Sequence, residues 1–261
     1  MYNRINKLFE QKKENILTIY FTGGFPNLND TEFIISELEK SGAGMVEIGI
    51  PFSDPAADGP VIQQSSHQAL ENGMSLTLLF QQLKDIRRTI NIPLVLMGYF
   101  NPVYQFGVKR FCEMCNESGI DGVILPDMPL NEFQQNYQQY FTENNLHNIL
   151  LVTPQTSIER VRHIDSVSTG FIYMVSSSSI TGKNQKVEDF QTEYFERIKG
   201  LNLTTPTLIG FGISDNATFK NACKYANGAI IGSAFIKALQ QDVALDVAIN
   251  DYVKSVLGTK L

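Results

Sequence analysis

Three carboxylates fall within residues 47–60, and acid–base catalysis is the chemistry they could perform. Glu47 lies in the apolar run Met45–Ile50, where period-two alternation puts it on the face opposite the purely aliphatic one. A lone buried carboxylate is costly unless it is paired or functional, and the other predicted strands supply no obvious basic partner. We therefore expect burial to raise the pKa of Glu47 and to suit it to proton transfer.

The loop that follows, Pro51–Pro60, holds the other two carboxylates, Asp54 and Asp58, in a stretch stiffened by proline. Either aspartate could instead be a turn or capping residue, which is a common role in such loops. For Asp54 the two interpretations are evenly balanced. Asp58 precedes Gly59 and is the better placed of the two to meet a substrate.

Three glycine-containing turns follow later predicted strands, at Ile180–Lys183, Gly210–Ser214 and Gly232–Ala234. Backbone N–H groups after strands seven and eight of a β/α barrel commonly bind phosphate, helped by a short extra helix, predicted here over Ala234–Leu239. Glycine lets the backbone approach an anion closely. Lys183 is the sole cation in these turns, so the sequence predicts a small phosphate ester held mainly by neutral donors.

Alternating strands and helices must position these residues. Short apolar runs predict eight strands, at Ile16–Phe21, Met45–Ile50, Leu94–Tyr99, Gly122–Leu125, Ile149–Val152, Gly170–Val175, Thr207–Ile209 and Ala229–Ile231. Helical spacing between them predicts helices over Asp30–Ser41, Leu76–Ile90, Val108–Ser118, Glu132–Glu143, Ile158–Val167, Glu188–Lys199, Asp215–Tyr225 and Asp242–Val256. Such alternation gives parallel sheets, and eight repeats favour a closed (β/α)8 TIM barrel over a doubly wound open sheet. We expect one TIM-barrel domain over residues 1–261, with an extra N-terminal helix within Met1–Glu14.

Composition narrows the function classes. The 261 residues are 43% apolar and 18% charged, an ordinary globular balance, and the net charge of −6 disfavours nucleic acid and anionic lipid as partners. No apolar run approaches the ~20 residues needed to cross a bilayer, and the first residues lack a signal-peptide core. The three cysteines form neither an even disulfide set nor a four-ligand zinc pattern, so a reducing cytoplasm and no metal site are expected. The histidines His67, His147 and His163 share no motif, and surface or capping roles are expected for them.

Residues 46–60, with the sequence VEIGIPFSDPAADGP, closely resemble the signature of the tryptophan synthase α subunit family. Further motifs at residues 96–102, 125–129, 210–214 and 231–234 extend the resemblance over nearly the whole chain. It implies retro-aldol cleavage of indole-3-glycerol phosphate to indole and glyceraldehyde 3-phosphate in tryptophan biosynthesis, with no cofactor on this chain. It also implies a β subunit that carries pyridoxal phosphate and receives indole through a tunnel in an α2β2 complex.

The resemblance assigns roles to individual residues. Glu47 matches the acid–base residue, and Asp58 matches the carboxylate that receives the indole N–H and would stabilise positive charge at nitrogen. The remaining residues that it implies are Tyr20, Tyr173 and Phe211 at the substrate, Gly182, Gly212, Gly232 and Ser233 at the phosphate, Thr181 in a closing loop, and Asp54, Pro55, Asn101 and Pro102 at the partner. Asp54 is thereby reassigned from a catalytic candidate to a partner contact.

Departures from the family pattern occur at Ser177 and Ser179 in the closing loop and at Phe25 after the first strand. They put the details of loop closure and of local hydrogen bonding in question, but not the reaction. Two alternatives stay open: another phosphate-binding barrel enzyme of aromatic amino-acid biosynthesis, or a catalytically weak subunit that activates or seals a β partner. The Glu47–Asp58 segment argues against both.

Overall fold

The computed structural model describes residues 1–55, 58–176 and 185–259. Its strand segments are β1 Ile16–Thr22, β2 Met45–Gly49, β3 Leu94–Met97, β4 Gly122–Ile124, β5 His147–Asn148, β6 Leu150–Val152, β7 Ile172–Val175, β8 Thr207–Gly210 and β9 Gly228–Ile231. Its α-helices are α1 Arg4–Gln11, α2 Thr31–Ser41, α3 Pro60–Glu71, α4 Leu76–Leu83, α5 Phe100–Phe106, α6 Val108–Glu117, α7 Leu130–Glu132, α8 Gln138–Glu143, α9 Ile158–Val167, α10 Gln185–Gly200, α11 Asn216–Ala222, α12 Ser233–Ala238 and α13 Leu245–Leu257.

The strands form one parallel sheet in the order β5-β4-β3-β2-β1-β9-β8-β7-β6. Its two ends, β5 and β6, are separated in the chain by Ile149 alone, and the Ile149 N–H donates to the Val123 carbonyl at 2.9 Å. His147–Val152 is therefore one barrel strand that pairs with β4 through its first half and with β7 through its second. The described strand segments thus make eight barrel strands, and the predicted TIM barrel is confirmed.

Every predicted strand has a counterpart in the structure, and most boundaries move by two residues or fewer. The predicted helix Leu76–Ile90 is wrong in extent, because α4 ends at Leu83 and a 3-10 turn follows at Ile86–Arg88. In that turn, the Arg87 guanidinium reaches the Gly119 carbonyl at 2.6 Å. Leu130–Glu143 is continuous but contains a π-helical segment, Phe133–Tyr137.

Two helices were not predicted: α3, which follows β2, and α5, which follows β3. A start signal for α3 is present in the sequence, since Pro60 is its first residue and Gly59 its N-cap. By contrast, α5 is short and depends on a contact from elsewhere in the chain. Its first N–H, from Phe100, donates to the Asp127 carboxylate at 2.9 Å.

The predicted N-terminal helix is confirmed as α1, which lies at the end of the barrel where the strands begin. Asn3 caps α1 and donates from Nδ2 to the Asp121 carbonyl at 2.8 Å. The buried Asp121 carboxylate accepts from Arg4 at 3.1 Å, from Arg87 at 2.7 Å and from the Leu94 N–H at 3.0 Å. This network ties α1 to β3 and β4.

For His147 the expected surface or capping role is wrong, since its ring is fully buried at the start of β5. Its Nε2 lies 2.8 Å from Asn6 Oδ1 and its Nδ1 lies 2.7 Å from Thr169 Oγ1. Asn6 Oδ1 also accepts the Asn3 N–H, so Nε2 carries the proton. Burial lowers the pKa of His147 to about 4 and keeps the ring neutral.

Phe25, one of the departures from the family pattern, is fully buried in the core beside the first loop. There the Gly24 N–H donates to Thr31 Oγ1 at 3.1 Å.

Over the described part of the chain, no helix has the length and apolar character required to span a membrane.

Candidate active site

Glu47 occupies the interior face of β2, while the intervening residues Val46 and Ile48 are fully buried on the other face. Its side chain is 1% exposed, and Oε2 has no hydrogen-bond partner among the described residues. Burial, and secondarily the charge of Asp58, raise the pKa of Glu47 to about 8. The protonated form of the side chain is therefore favoured at pH 7, which suits it to donate a proton.

Asp58, in the loop between β2 and α3, is only partly buried and has a hydrogen-bond donor. Tyr99, two residues after the end of β3, donates its hydroxyl to Asp58 Oδ2 at 3.2 Å. The Asp58 carbonyl accepts from Gln63 Nε2 at 2.8 Å, which ties the loop to α3. Burial raises the pKa of Asp58, and the bond from Tyr99 opposes that shift. Tyr99 thus favours the ionised form of the carboxylate.

Two tyrosines lie across glycines of neighbouring strands. Tyr20 is in register with Glu47, and its ring covers Gly49, where an added Cβ would collide with the Tyr20 hydroxyl. The same relation joins Tyr173 of β7 to Gly210 of β8. Burial raises the pKa of both phenols, and Glu47 contributes to both shifts. Both rings therefore line the site as neutral groups near Glu47.

The turn after β8 has an unusual backbone conformation. Phe211 and Gly212 both have φ of 72°, a left-handed value that a bulky side chain adopts only under strain. The Ser176 hydroxyl makes contacts of 2.7 Å to the Phe211 carbonyl and 3.0 Å to the Gly210 carbonyl. The Phe211 ring lies edge-on to Tyr173 at 6.2 Å between ring centroids. Ser176, at the end of β7, thereby fixes the turn that carries a predicted phosphate-site glycine.

These residues surround two adjoining cavities at the ends of the strands. One cavity, about 490 Å³, has mostly apolar walls and is called the apolar cavity; it is lined by Ile50, Phe52, Tyr99, Pro126, Leu151 and Val175, among others. The other, about 550 Å³, is called the glycine-lined cavity and is bordered by Glu47, Tyr173, Gly212, Ser214, Gly232, Ser233 and Lys237, among others. The two share Tyr20, Asp58, Met97 and Phe211. A ligand with an aromatic and an anionic part could occupy both.

The fold thus brings Glu47 and Asp58 to one space together with most of the predicted substrate residues. Thr181 and Gly182 lie outside the described residues, as do Ser177 and Ser179. The four predicted partner contacts do not line either cavity: Asp54 and Asn101 are exposed, and Pro55 and Pro102 are partly so. Asp54 and Pro55 instead border an open groove of about 380 Å³ beside His67.

Sequence reasoning did not single out Tyr99, Ser176 and Lys237. Tyr99 lies two residues after β3 and Ser176 directly follows β7, and a position just beyond a strand end is a usable signal for an active-site residue in a barrel. Lys237 carries no such signal, because it lies on α12 and only the fold brings it to the cavity.

Cys112 and Cys115 are buried on α6, and burial raises the pKa of each thiol, so neither is a ready thiolate. Among the side chains that the structure describes, no group of three or more His, Cys, Asp or Glu residues is arranged to hold a metal ion.

The sequence matches the family model described as tryptophan synthase alpha chain over residues 6–256. The tryptophan synthase alpha chain of Flavobacterium psychrophilum is 58% identical over 240 residues, which cover 92% of this chain and 94% of that protein. The corresponding protein of Christiangramia forsetii is 53% identical over 254 residues, covering 97% and 98% of the two chains.

Solved structures agree with the sequence matches. The crystal structure of the tryptophan synthase alpha chain from Legionella pneumophila superposes with a TM-score of 0.88 at 30% identity, covering 99% of this chain and 97% of that one. A chain of the tryptophan synthase complex from Pyrococcus furiosus gives a TM-score of 0.84 at 33% identity, covering 95% and 99%. Fold and sequence agree, and the chain belongs to the tryptophan synthase alpha chain family.

Proposed function

We propose that Glu47 and Asp58 carry out the cleavage of indole-3-glycerol phosphate to indole and glyceraldehyde 3-phosphate. The activity follows from the family, since the chain is a lyase subunit of tryptophan biosynthesis. The roles of the two carboxylates rest on the site. The observation that carries them is the buried Glu47 carboxyl, whose Oε2 has no hydrogen-bond partner among the described residues and which shares a cavity with Asp58.

The reaction needs a proton donor for the indole ring carbon and a proton acceptor for the side-chain hydroxyl of the substrate. Glu47, protonated at neutral pH, donates its proton to the indole ring carbon that bears the glycerol chain. Positive charge then develops at the ring nitrogen, where the Asp58 carboxylate accepts the N–H and stabilises it. Cleavage of the carbon–carbon bond returns electrons to the ring, and the Glu47 carboxylate takes the proton of the side-chain hydroxyl. The aldehyde leaves and Glu47 is again protonated.

The two cavities suit the two parts of this substrate. We place the indole ring in the apolar cavity, with Tyr20 and Phe211 at its border, and the glycerol phosphate in the glycine-lined cavity beside Tyr173. Asp58 borders both, as a residue that contacts the indole nitrogen should. The phosphate would accept hydrogen bonds from Gly212, Gly232 and Ser233. Gly182 would add a further donor and Thr181 would help to close the site.

We further propose that residues 1–261 form one domain, that this chain carries no cofactor, and that it acts in the cytoplasm. Its partner would be a β subunit that bears pyridoxal phosphate, in an α2β2 complex that passes indole between subunits. Asp54, Pro55, Asn101 and Pro102 would contact that partner, which fits their exposure outside the two cavities.

Indole release from indole-3-glycerol phosphate tests this proposal directly. We expect slow release by the purified chain and faster release when a tryptophan synthase β subunit is added. Asp58→Asn should lose release under both conditions, whereas Asp85→Asn, at an exposed carboxylate paired with Arg88, should behave as wild type. An absence of indole from the wild-type chain with and without the β subunit would rule out the proposed reaction.

A further inference from the structure

The glycine-lined cavity is bordered by a lysine that the predicted phosphate turns do not include. Lys237 of α12 borders this cavity, four residues after Ser233 and thus on the same face of the helix. Helical side chains lean toward the N-terminus of their helix, which directs Lys237 back toward Ser233 and Gly232. We therefore expect its ammonium group to reach the end of the cavity proposed to hold the phosphate.

Charge is distributed unevenly along the two cavities. Among the described residues that line them, the acids are Glu47 and Asp58 and the only Lys or Arg is Lys237. An ionised Asp58 would repel a phosphate dianion, so a phosphorylated substrate is favoured to bind with its anionic end away from Asp58. Lys237 supplies the opposite charge on a separate element, α12.

No described side chain forms an ion pair with Lys237. In the part of the chain that the structure describes, it has no carboxylate within 4.0 Å, while Lys40 and Lys109 each pair with a glutamate on their own helix. Asp215, the acid that follows the Gly210–Ser214 turn, caps α11 by accepting the Thr218 N–H at 2.8 Å. Its carboxylate is therefore turned toward the start of α11.

The Gly210–Ser214 turn is held in place from outside the cavity. The Tyr252 hydroxyl of α13 donates to the Ser214 carbonyl at 2.9 Å. The Ser214 carbonyl is bound by Tyr252 of α13, and the Asp215 carboxylate is bound at the start of α11, so both acceptors already have donors. The ammonium group of Lys237 is therefore available to a ligand in the cavity.

We propose that Lys237 binds the phosphate of the substrate and sets the preference of the site for a phosphorylated ligand over its uncharged counterpart. The inference rests on the proposed function, because it assumes that the glycine-lined cavity holds the glycerol phosphate. It adds a charge-assisted contact to a site whose other described phosphate-binding residues are neutral donors.

Steady-state kinetics of Lys237→Met test this contact. We expect KM for indole-3-glycerol phosphate to rise by about tenfold, the low end for a hydrogen bond to a charged group, with a smaller change in kcat. Lys237→Arg should recover most of the loss because it keeps the charge. Lys220→Met, at an exposed lysine of α11 that lines neither cavity, is the matched control and should leave KM as in wild type.

Two further measurements separate phosphate binding from a structural effect. Glycerol 3-phosphate should inhibit Lys237→Met about tenfold more weakly than wild type. Cleavage of the dephosphorylated substrate, indoleglycerol, should have the same kcat/KM in both proteins. The wild-type KM should also rise more steeply with ionic strength than that of the variant.

Either of two outcomes would overturn the inference. One is a KM for Lys237→Met within twofold of wild type, and the other is an equal loss on indoleglycerol. Both leave the lyase proposal intact, since wild-type protein would still release indole. A wild-type chain that releases no indole would instead contradict the proposed function itself.

Discussion

Glu47 and Asp58 face the same cavity, yet their surroundings favour opposite protonation states. Glu47 lies on a strand among buried residues, and within the described part of the chain one of its oxygens has no donor, so its neutral form is favoured at pH 7. Asp58 lies on a loop, is less buried, and accepts a hydrogen bond from Tyr99. Two carboxyl groups whose environments push their pKa values apart can serve as acid and as anionic stabiliser.

The first prediction concerns turnover and stability of Glu47→Gln. Turnover should fall by at least about 100-fold, the usual contribution of general acid–base catalysis. For wild type, the pKa of this residue is raised from 4.5 to about 8 by folding, so unfolding releases a proton between those values and stability falls as pH rises through that window. Glutamine does not titrate. The free energy of unfolding of the variant, relative to that of wild type, should therefore increase by about 1.4 kcal/mol per pH unit from pH 4.5 to 8.

Urea unfolding at pH 5 and at pH 8, together with indole release, checks this prediction. The two proteins should differ little in free energy of unfolding at pH 5 and most at pH 8. Wild-type activity should decline above about pH 8, where Glu47 loses its proton. Parallel stability curves would show that Glu47 is not protonated in the folded state, and wild-type turnover in Glu47→Gln would remove it from the mechanism.

Pairs of adjacent strands, rather than single residues, set the position of the two tyrosines. Tyr20 of β1 fits only because β2 has a glycine at Gly49, and Tyr173 of β7 fits only because β8 has one at Gly210. A side chain on the interior face of a strand leans along the strand direction, so the residue that it covers is two positions beyond its register partner. The glycines thus allow large rings to reach the end of the barrel where the chemistry occurs.

The second prediction uses this pairing. An alanine Cβ at Gly49 would lie 2.7 Å from Cζ of Tyr20, so Gly49→Ala should destabilise the protein by about 1–3 kcal/mol and lower activity. Adding Tyr20→Ala removes the collision. The double variant should then be destabilised by less than the sum of the single variants, by at least about 1 kcal/mol.

A double-mutant cycle of urea unfolding measures that coupling. Gly200→Ala, at the end of α10 where an added Cβ would meet nothing within 4 Å, is the control and should change stability little. Additive effects of Gly49→Ala and Tyr20→Ala would show that the ring does not rest against Gly49.

The molecule as a whole separates chemistry from anchoring at the two ends of the barrel. The cavities lie where the strands end, and the Asp121 network and His147 lie where the strands begin. In TIM barrels the end where the strands finish carries the active site, and the end where they begin contributes mainly to stability. The N-terminal helix α1 belongs to the second, through the contacts of Asn3, Arg4 and Asn6.

The third prediction follows from this separation. Asp121→Asn leaves Arg87 without its buried counter-charge and should lower the free energy of unfolding by about 3 kcal/mol. At a temperature where the variant stays folded, kcat for indole release should remain within about twofold of wild type, because the network does not line either cavity.

Denaturant unfolding and indole-release kinetics, measured on the same preparations of wild type and Asp121→Asn, test this prediction. Asp85→Asn removes the carboxylate of an exposed pair and should cost less than about 1 kcal/mol. A stability change for Asp121→Asn as small as that of the control would show that the network does not anchor α1. A large loss of kcat in folded protein would show that the two ends are coupled.

Most of the barrel could be predicted from the sequence because its strands and longer helices are marked locally by apolar runs and helical periodicity. Two helices, α3 and α5, were not predicted, and for α5 the reason is physical. Its start is stabilised by Asp127 from the next loop, a contact that has no signature in residues 100–106.

The sequence by itself determined the proposed catalytic segment, since Glu47 and Asp58 lie within one contiguous family motif and the alternation of β2 already turns Glu47 inward. Only the tertiary structure decided which groups surround them. Tyr99 and Ser176 follow β3 and β7, and Lys237 lies on α12. These elements are distant in the chain and meet because the sheet closes into a barrel. A carboxyl group's type and face are local properties, whereas its solvation, its donors and the nearest cation depend on what the closed barrel places around it.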